Sequence, residues 1–472
     1  MEGRSSRARS SVCGGKRICK RRRPKSQFLN LPEDIQCKIL SELPLKEATR
    51  TSILSTQWGS VRSVHPRLRF DGATMCGGRG RTAAGSKQYL QEFVRNVNAV
   101  LQRHNGTFVE DFEVKFEYDS ELAGHLDSWI RFVAASQTKN LVFDLVPDEF
   151  RGRRDRYLLP MELLDGGSTS RRLLCIQLSF VSIKLPPGFN GFPNLRKLDL
   201  HLIRVTAKDL QDVLSSCSNL EWLSLVRCHL NDELKVDHPL SCLLHLHVTY
   251  CEVTKIQFNA TKLKTFVYRG EWRPIDLSQS SELKDVHLYL DDDFITLEHA
   301  LTTFPTALPT VQSLTLKAVA PLKMPGLLLN PCKFSQLKYL HLDLMIIHED
   351  ADNVLSLASY LRAAPLIEKL ELHFGSFALP HYRCDPIRSL PRCRYNYLKN
   401  INVMGFMGSR GQLEFLLHAV ENAPTLEVLT LDLACRFNVD HQGRTYFTER
   451  VREIGIKYLD ERVLPTTKLC VL

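Results

Sequence analysis

Four side chains of zinc-ligand type stand within ten positions of one another: Cys242, His245, His247 and Cys251. Thiolates and imidazoles are what a tetrahedral zinc site uses, so the spacing has to be tested against the element that carries it. Leu243, Leu246 and Val248 lie between them at the inward positions of a short strand. Alternation along a strand then sends His245 and His247 to one face and Cys251, at the next apolar position, to the other, so they cannot meet one ion. His381, Cys384 and Cys393 form a looser group in a loop. The glycine-rich stretch Gly72, Gly77, Gly78, Gly80 and Gly85 lacks the preceding strand and the Gly-Lys-Ser/Thr ending of a phosphate-cradling loop, and it reads as a linker. No nucleophile elbow or metal quartet stands at a workable spacing, so the chain is expected to be no enzyme and to take no metal or other cofactor.

What remains is recognition chemistry. Trp222, Arg227, His247, Tyr250, His287, Tyr289, Tyr339 and His341 are aromatic or cationic residues between regularly spaced apolar ones. Aromatics mixed with charge are what protein-binding surfaces use. His247, His287 and His341 recur at one position on alternate strands, about 10 Å from one to the next, and form no site by themselves.

The elements that must present these residues come from a repeat. The pattern L-x-x-L-x-L, with apolar substitutions, occurs eleven times from Leu173/Ile176/Leu178 to Leu426/Leu429/Leu431, at a mean spacing of about 25 residues. Weaker copies at Val109/Phe112/Val114 and Leu141/Phe143 extend it towards the N-terminus. Each unit predicts a short strand with its apolar residues inward and a helix or irregular segment, such as 207–215, returning on the other side. No unit can bury its apolar face alone, so the units must stack into a parallel-stranded horseshoe, an α/β solenoid. The eighth residue after the first Leu should also be buried. It reads Val181, Ile203, Cys228, Cys251, Glu271, Asp291, Val319, Met345, Gly375, Phe406 and Ala434, and Glu271 and Asp291 predict an irregular middle.

Composition fits such a body. The 472 residues are 44% hydrophobic and 24% charged, which excludes wholesale disorder and collagen. Fourteen cysteines without a CxxC pair or a secretory leader predict reduced, mostly buried thiols. No run approaches the roughly 18 apolar residues of a membrane span, so a soluble intracellular protein is expected. The net charge of +10 is concentrated in residues 1–26, where ten Lys or Arg face Glu2 alone and leave the other 446 residues at +1. Nucleic acid is therefore not an expected partner of the body. The tail predicts disorder, and Lys20, Arg21, Arg22, Arg23 and Lys25 have the composition of a nuclear-import signal, placing the protein in the nucleus, the cytoplasm or both.

Residues 27–71 predict small helices. Pro32 with Glu33 and Asp34 suits a first helical turn, Ile35, Ile39, Leu40 and Leu43 recur at helical spacing, and Leu43-Pro44-Leu45 breaks the helix. So short a segment buries too little surface to stand alone, and part of its apolar face should meet a partner. Leu31-Pro32-Glu33-Asp34-Ile35, then Leu43-Pro44-Leu45, then Ser55-Thr56-Gln57-Trp58 resemble the F-box of plant F-box proteins with leucine-rich repeats, with Gln57 where the family usually has a basic residue. Tyr397 to Ile401, the Gly405-Phe406 turn, the helical 414–420 and Asn422-Ala423-Pro424-Thr425-Leu426-Glu427 are similar to the FBD module that follows the repeats in that family.

The resemblance implies a substrate-recognition subunit of a Skp-cullin-F-box ubiquitin ligase. Leu31, Pro32, Ile35, Ile39, Leu43, Pro44, Leu45 and Trp58 would dock on the Skp-family adaptor of the cullin-RING ligase, and the eight concave residues would hold a protein substrate. A repeat scaffold or ligand receptor without ubiquitin transfer is the alternative. The expected organisation is a basic tail to 26, the F-box over 27–71, a linker and first helix over 72–108, repeats over 109–374, and FBD-like repeats and cap over 375–472.

Overall fold

The computed structural model describes Pro32, Ile35 and Ile39 together with residues 65–76, 86–104, 109–165, 167–291, 297–321, 333–346, 348–376, 386–433 and 441–472. The chain divides into two units, 1–65 and 66–472. In the first, Ile35 and Ile39 are helical, and the Ile35 amide donates to the Pro32 carbonyl at 3.0 Å. Leu31, Leu43, Pro44, Leu45, Trp58 and the basic cluster Lys20, Arg21, Arg22, Arg23 and Lys25 lie outside the described residues.

The second unit is the horseshoe's repeat stack. Its strands, in chain order, are β1 (Arg67–Asp71), β2 (Asp111–Lys115), β3 (Asn140–Asp144), β4 (Tyr157–Leu159), β5 (Cys175–Ser179), β6 (Val181–Ile183), β7 (Lys197–His201), β8 (Trp222–Val226), β9 (His229–Val236) and β10 (His245–Thr249). They continue as β11 (Glu252–Phe258), β12 (Thr265–Gly270), β13 (Ile275–Asp276), β14 (Asp285–Leu290), β15 (Ser313–Pro321), β16 (Tyr339–Ile346), β17 (Lys369–Ser376), β18 (Asn400–Met404), β19 (Val428–Asp432) and β20 (Lys468–Val471).

Fifteen of these make one sheet, ordered β1-β2-β3-β5-β7-β8-β10-β12-β14-β15-β16-β17-β18-β19-β20, and every pairing in it is parallel. The register carries each apolar position onto its counterpart: Leu314 pairs with Leu340 and Leu340 with Leu370. These residues are buried throughout, each contributing about 1.5–3 kcal/mol relative to exposure. Polar pegs join repeats, as where the Asn194 and Asn219 amides donate to the carbonyls of Arg171 and Pro193.

The array starts one strand earlier than the sequence reading placed it. β1, within the 27–71 assigned to the F-box, joins the sheet through Leu68 and Phe70, paired with Phe112 and Val114. Five residues alternating inward and outward suffice for an edge strand, and they lack the leading leucine of a full repeat. The C-terminal residues continue the same sheet through β18 and β19, a helix at His441–Leu459 and the edge strand β20.

The rule for the eighth position holds in only one class of repeat. Val181, Ile203, Cys228 and Phe406 are buried, Cys251, Met345, Gly375 and Asp291 are half-buried, and Glu271 is exposed; the side chains of Val319 and Ala434 are outside the described set. Where the eighth residue is buried, and at Cys251, the seventh stands at positive φ: Phe180 (61°), Leu202 (55°), Arg227 (52°), Tyr250 (50°) and Gly405 (71°). This left-handed residue turns the chain out of the sheet. Where no such turn occurs, β14 runs on by one residue and β16 and β17 by three, and alternation buries the seventh residue instead: Leu290, Leu344 and Phe374. At Glu271 the preceding Gly270 has φ 142° and the repeat fits neither class, so the middle departs from the rule there, whereas Asp291 follows a strand of the straight class.

The turns lead into a second layer that sequence periodicity did not predict as strands. β4 pairs with β6, β9 with β11 and β11 with β13, all parallel, while Arg204 bridges Ser182 and His229. Helices cover the convex side elsewhere. The one at Ala207–Ser215, where the sequence placed it, is capped by Thr206, whose hydroxyl accepts from the Asp209 amide at 3.0 Å, and buries Leu210, Val213 and Leu214.

Candidate functional site: a concave face and its edge

In the N-terminal unit, Ile35 and Ile39 are 40% and 43% exposed. Four residues apart on a helix, they share a face, and Pro32 at its entry is exposed as well. Both branched apolar side chains are thus left partly in water.

The eight recognition candidates divide into separate groups. Trp222 opens β8 on the concave face, with the His245 ring 4.9 Å away across the β8–β10 pair and Lys197 Nζ 5.9 Å from the indole. His247, also concave, is half-buried and bonds the Thr249 hydroxyl at 2.6 Å, and burial lowers its pKa. His287 and Tyr289 stand half-buried on β14, where His287 aligns with Val267 and Thr315 as the repeat requires.

Tyr339 and His341 lie on β16. The Tyr339 hydroxyl donates to Glu371 at 2.5 Å, while Lys369 reaches Glu371 at 2.7 Å and lies over the Tyr339 ring at 5.1 Å. Burial alone would raise the Glu371 carboxyl, but the bonds from Lys369 and Tyr339 outweigh it and hold it below its usual range. The Tyr339 phenol is pushed up by burial and by that carboxylate.

Arg227 and Tyr250 are not on the concave strands. They occupy the left-handed turns after β8 and β10 and project at the edge of the sheet, with the Arg227 guanidinium 5.7 Å from the Tyr250 ring and 5.7 Å from Phe150. The sequence reading counted forward from the strand as though it continued; the turn redirects both side chains.

The cysteine–histidine group is split as the strand register demands. His245 and His247 face the concavity, while the Cys251 thiol points back to the Leu225 carbonyl at 3.3 Å. His381 and Cys384 lie outside the described residues. The eight described cysteines are free; Cys76, Cys217 and Cys228 are buried and the other five half-buried, a more open distribution than expected. A different group has metal-ligand geometry: His341, Asp343 and His373 offer donor atoms within 4.8 Å of one another. In the structure these groups are engaged otherwise, His341 Nε2 with His373 Nδ1 at 3.2 Å and Asp343 with Lys317 at 2.8 Å. Burial and then His373 lower the pKa of His341.

Sequence reading puts His245 on the concave face without counting it among the recognition candidates, and it misses Lys369, Glu371 and His373, which face the concavity by the same alternation and are legible from it. It also misses the basic run at 151–156, whose Arg151, Arg153, Arg154 and Arg156 line a pocket of about 550 Å³ together with Arg204, Arg227 and Tyr250.

The family-model matches identify the class as an F-box protein with a leucine-rich-repeat solenoid, in keeping with the parallel-stranded repeat stack. The F-box domain model matches residues 28–68. The model described as "At1g61320/AtMIF1, LRR domain" matches residues 100–460, and the chain belongs to that family. Its relatives include Arabidopsis thaliana proteins: F-box/FBD/LRR-repeat protein At1g13570 is 24% identical over 417 residues, covering 85% of this chain and 90% of the relative. Putative F-box/FBD/LRR-repeat protein At5g62970 is 24% identical over 469 residues, covering 92% and 97%. F-box/LRR-repeat protein At3g58900 is 28% identical over 247 residues, covering 51% and 72%. The FBD module read at the C-terminal end is named in two of the three.

Proposed function

We propose that the chain is the substrate-recognition subunit of a Skp-cullin-F-box ubiquitin ligase, docking through its F-box on a Skp-family adaptor and holding a protein substrate with the repeats. The observation that carries this reading is the F-box match over 28–68, within which Ile35 and Ile39 stand exposed on one helix face. Such a subunit performs no chemistry. It raises the effective concentration of substrate lysines near a charged ubiquitin carrier, and a rigid parallel sheet is a suitable holder because its concave side chains are fixed relative to one another. Trp222, His245, Tyr339 and His341 supply the aromatic and hydrogen-bonding groups on which interface energy concentrates.

The test is the double variant Pro32→Ala/Ile35→Ala in the full chain. It should lose co-purification of adaptor and cullin while the repeats keep their thermal transition and their substrate, which should accumulate in cells. If the variant retains adaptor at wild-type yield, or if wild type never captures it, the ligase reading fails and a scaffold or receptor without ubiquitin transfer replaces it. We further propose that Lys20 to Lys25 direct nuclear import; fusions with and without residues 1–26 that distribute identically would refute this.

A further inference from the structure

The basic pocket at the sheet edge joins groups that are far apart in sequence. Its floor and one wall are the turns after β7, β8 and β10, contributing Leu202, Arg227 and Tyr250, with Arg204, His229 and Glu252 just beyond them; the facing wall is the loop 150–156 between β3 and β4. Six arginines line it, Arg151, Arg153, Arg154, Arg156, Arg204 and Arg227, against one lining carboxylate, Glu252, which His229 engages at 2.9 Å. Arg153 is neutralised by Asp155 at 2.5 Å. Arg151, Arg154, Arg204 and Arg227 make no salt bridge among the described residues.

The pocket is a built feature. Arg156 is held by a bond from its Nε to the Leu202 carbonyl at 3.0 Å and by the Phe180 ring, 5.0 Å from its guanidinium carbon. Arg227 is placed by Phe150 on one side and Tyr250 on the other, and Arg269 lies over the same tyrosine at 5.1 Å. Gathering like charges around a cavity opposes folding. Burial, and next the charge of Arg204, make the protonated form of Arg156 harder to hold than usual. This concentration is local, because the chain beyond residue 26 carries only +1.

We infer that this pocket binds a compact ligand carrying two or more phosphate groups. Guanidinium forks match phosphate oxygens bidentately, and one carboxylate would balance only one of the unpaired arginines, whereas each phosphate brings a charge of about −1.5 to −2 at pH 7. The volume suits a small molecule or a short peptide segment rather than a duplex. The site requires neither adaptor nor ubiquitin transfer, so it stands or falls apart from the ligase reading.

Two sources share this chemistry, a free polyphosphate and a doubly phosphorylated stretch of protein, and one titration separates them. Tripolyphosphate and a peptide with two adjacent phosphoserines are titrated calorimetrically into the full chain. Each is repeated on Arg204→Gln/Arg227→Gln, on Arg151→Gln/Arg154→Gln, and on Arg21→Gln/Arg22→Gln/Arg23→Gln, which tests the basic tail as a competing anion binder. The expected result is saturable binding of at least one probe, weakened by about tenfold or more in both pocket variants and little changed in the tail variant. The tighter probe identifies the source. Because all four pocket arginines substituted are exposed, the unliganded thermal transition should stay close to that of wild type, relief of repulsion offsetting the lost Arg227 ring contacts. Binding lost with the tail variant alone, binding unchanged in both pocket variants, or no binding of either probe would overturn the inference.

Discussion

The repeats between Leu173 and Cys251 and those between Leu283 and Ser376 share one strand pattern and diverge at a single residue. In the first group the seventh residue after the leading apolar position adopts a left-handed conformation, at Phe180, Leu202, Arg227 and Tyr250. The chain then leaves the concave sheet for β6, the Arg204 bridge, β9 and β11. In the second group β14, β16 and β17 run straight through that position and bury Leu290, Leu344 and Phe374 there. The consequence is functional as well as geometric. Straight repeats place their polar residues in a ladder on the concave face, as with Tyr339, Glu371, His341 and His373. Turning repeats keep Trp222, His245 and His247 on that face and add a second set at the edge, where Arg204, Arg227 and Tyr250 meet the loop 150–156.

The largest expected effect tests what the two groups have in common. Leu340 is fully buried between Leu314 and Leu370 in register. Leu340→Asp should abolish the cooperative thermal transition or cause aggregation, since a buried unpaired carboxylate is destabilising by several kcal/mol. His341→Ala, one residue along on the open face, loses the contact with His373 and should cost no more than about 1 kcal/mol. Equal melting losses for the two would break the register on which both groups depend.

A smaller effect isolates the turn. Gly405 has φ +71°, and a Cβ there would point into the Phe374 carbonyl of the neighbouring straight repeat. Gly405→Ala combines left-handed strain with a backbone clash and should destabilise by about 2–3 kcal/mol. Gly152, at φ +77° with nothing within 4 Å of the added carbon, carries the strain without the clash. Gly152→Ala should cost only about 1 kcal/mol by thermal or denaturant unfolding. Similar losses at both glycines would mean that the tight approach of turning and straight repeats is not what Gly405 serves.

These turns mark where the sequence could be read and where it could not. The strand positions were legible because L-x-x-L-x-L is a local statement about which side chains point inward, and each copy repeats it. Gly405 was legible as a turn because glycine is the residue that adopts positive φ without cost. Phe180, Leu202, Arg227 and Tyr250 adopt nearly the same conformation with no residue-type signal, since the surrounding sheet layers impose it. So the strands beyond them went unread, and Arg227 and Tyr250 were placed on the wrong surface. The arginine pocket was illegible for the same reason: the run at 151–156 looks like a charged loop until the turns bring Arg204 and Arg227 against it.

The finest test compares glycine with alanine at the seventh residue of a turning repeat and at the eighth residue of a straight one, so that lost side-chain contacts nearly cancel. Arg227 holds φ 52°, a conformation that disfavours any residue with a Cβ by about 1–2 kcal/mol. Arg227→Gly should therefore be more stable than Arg227→Ala by about 1 kcal/mol, although both lose the stacking on Phe150 and Tyr250. Met345 lies within β16, paired with Gly375 of β17, and is not among the residues at positive φ. There glycine only adds freedom to the unfolded chain, and Met345→Gly should be less stable than Met345→Ala by about 0.5–1 kcal/mol. The sign of the difference, read from denaturant midpoints of four variants, should reverse between the two repeats. The same sign at both would mean that the turn at Arg227 relaxes in solution, and the edge pocket would then lose the geometry that aims its arginines inward.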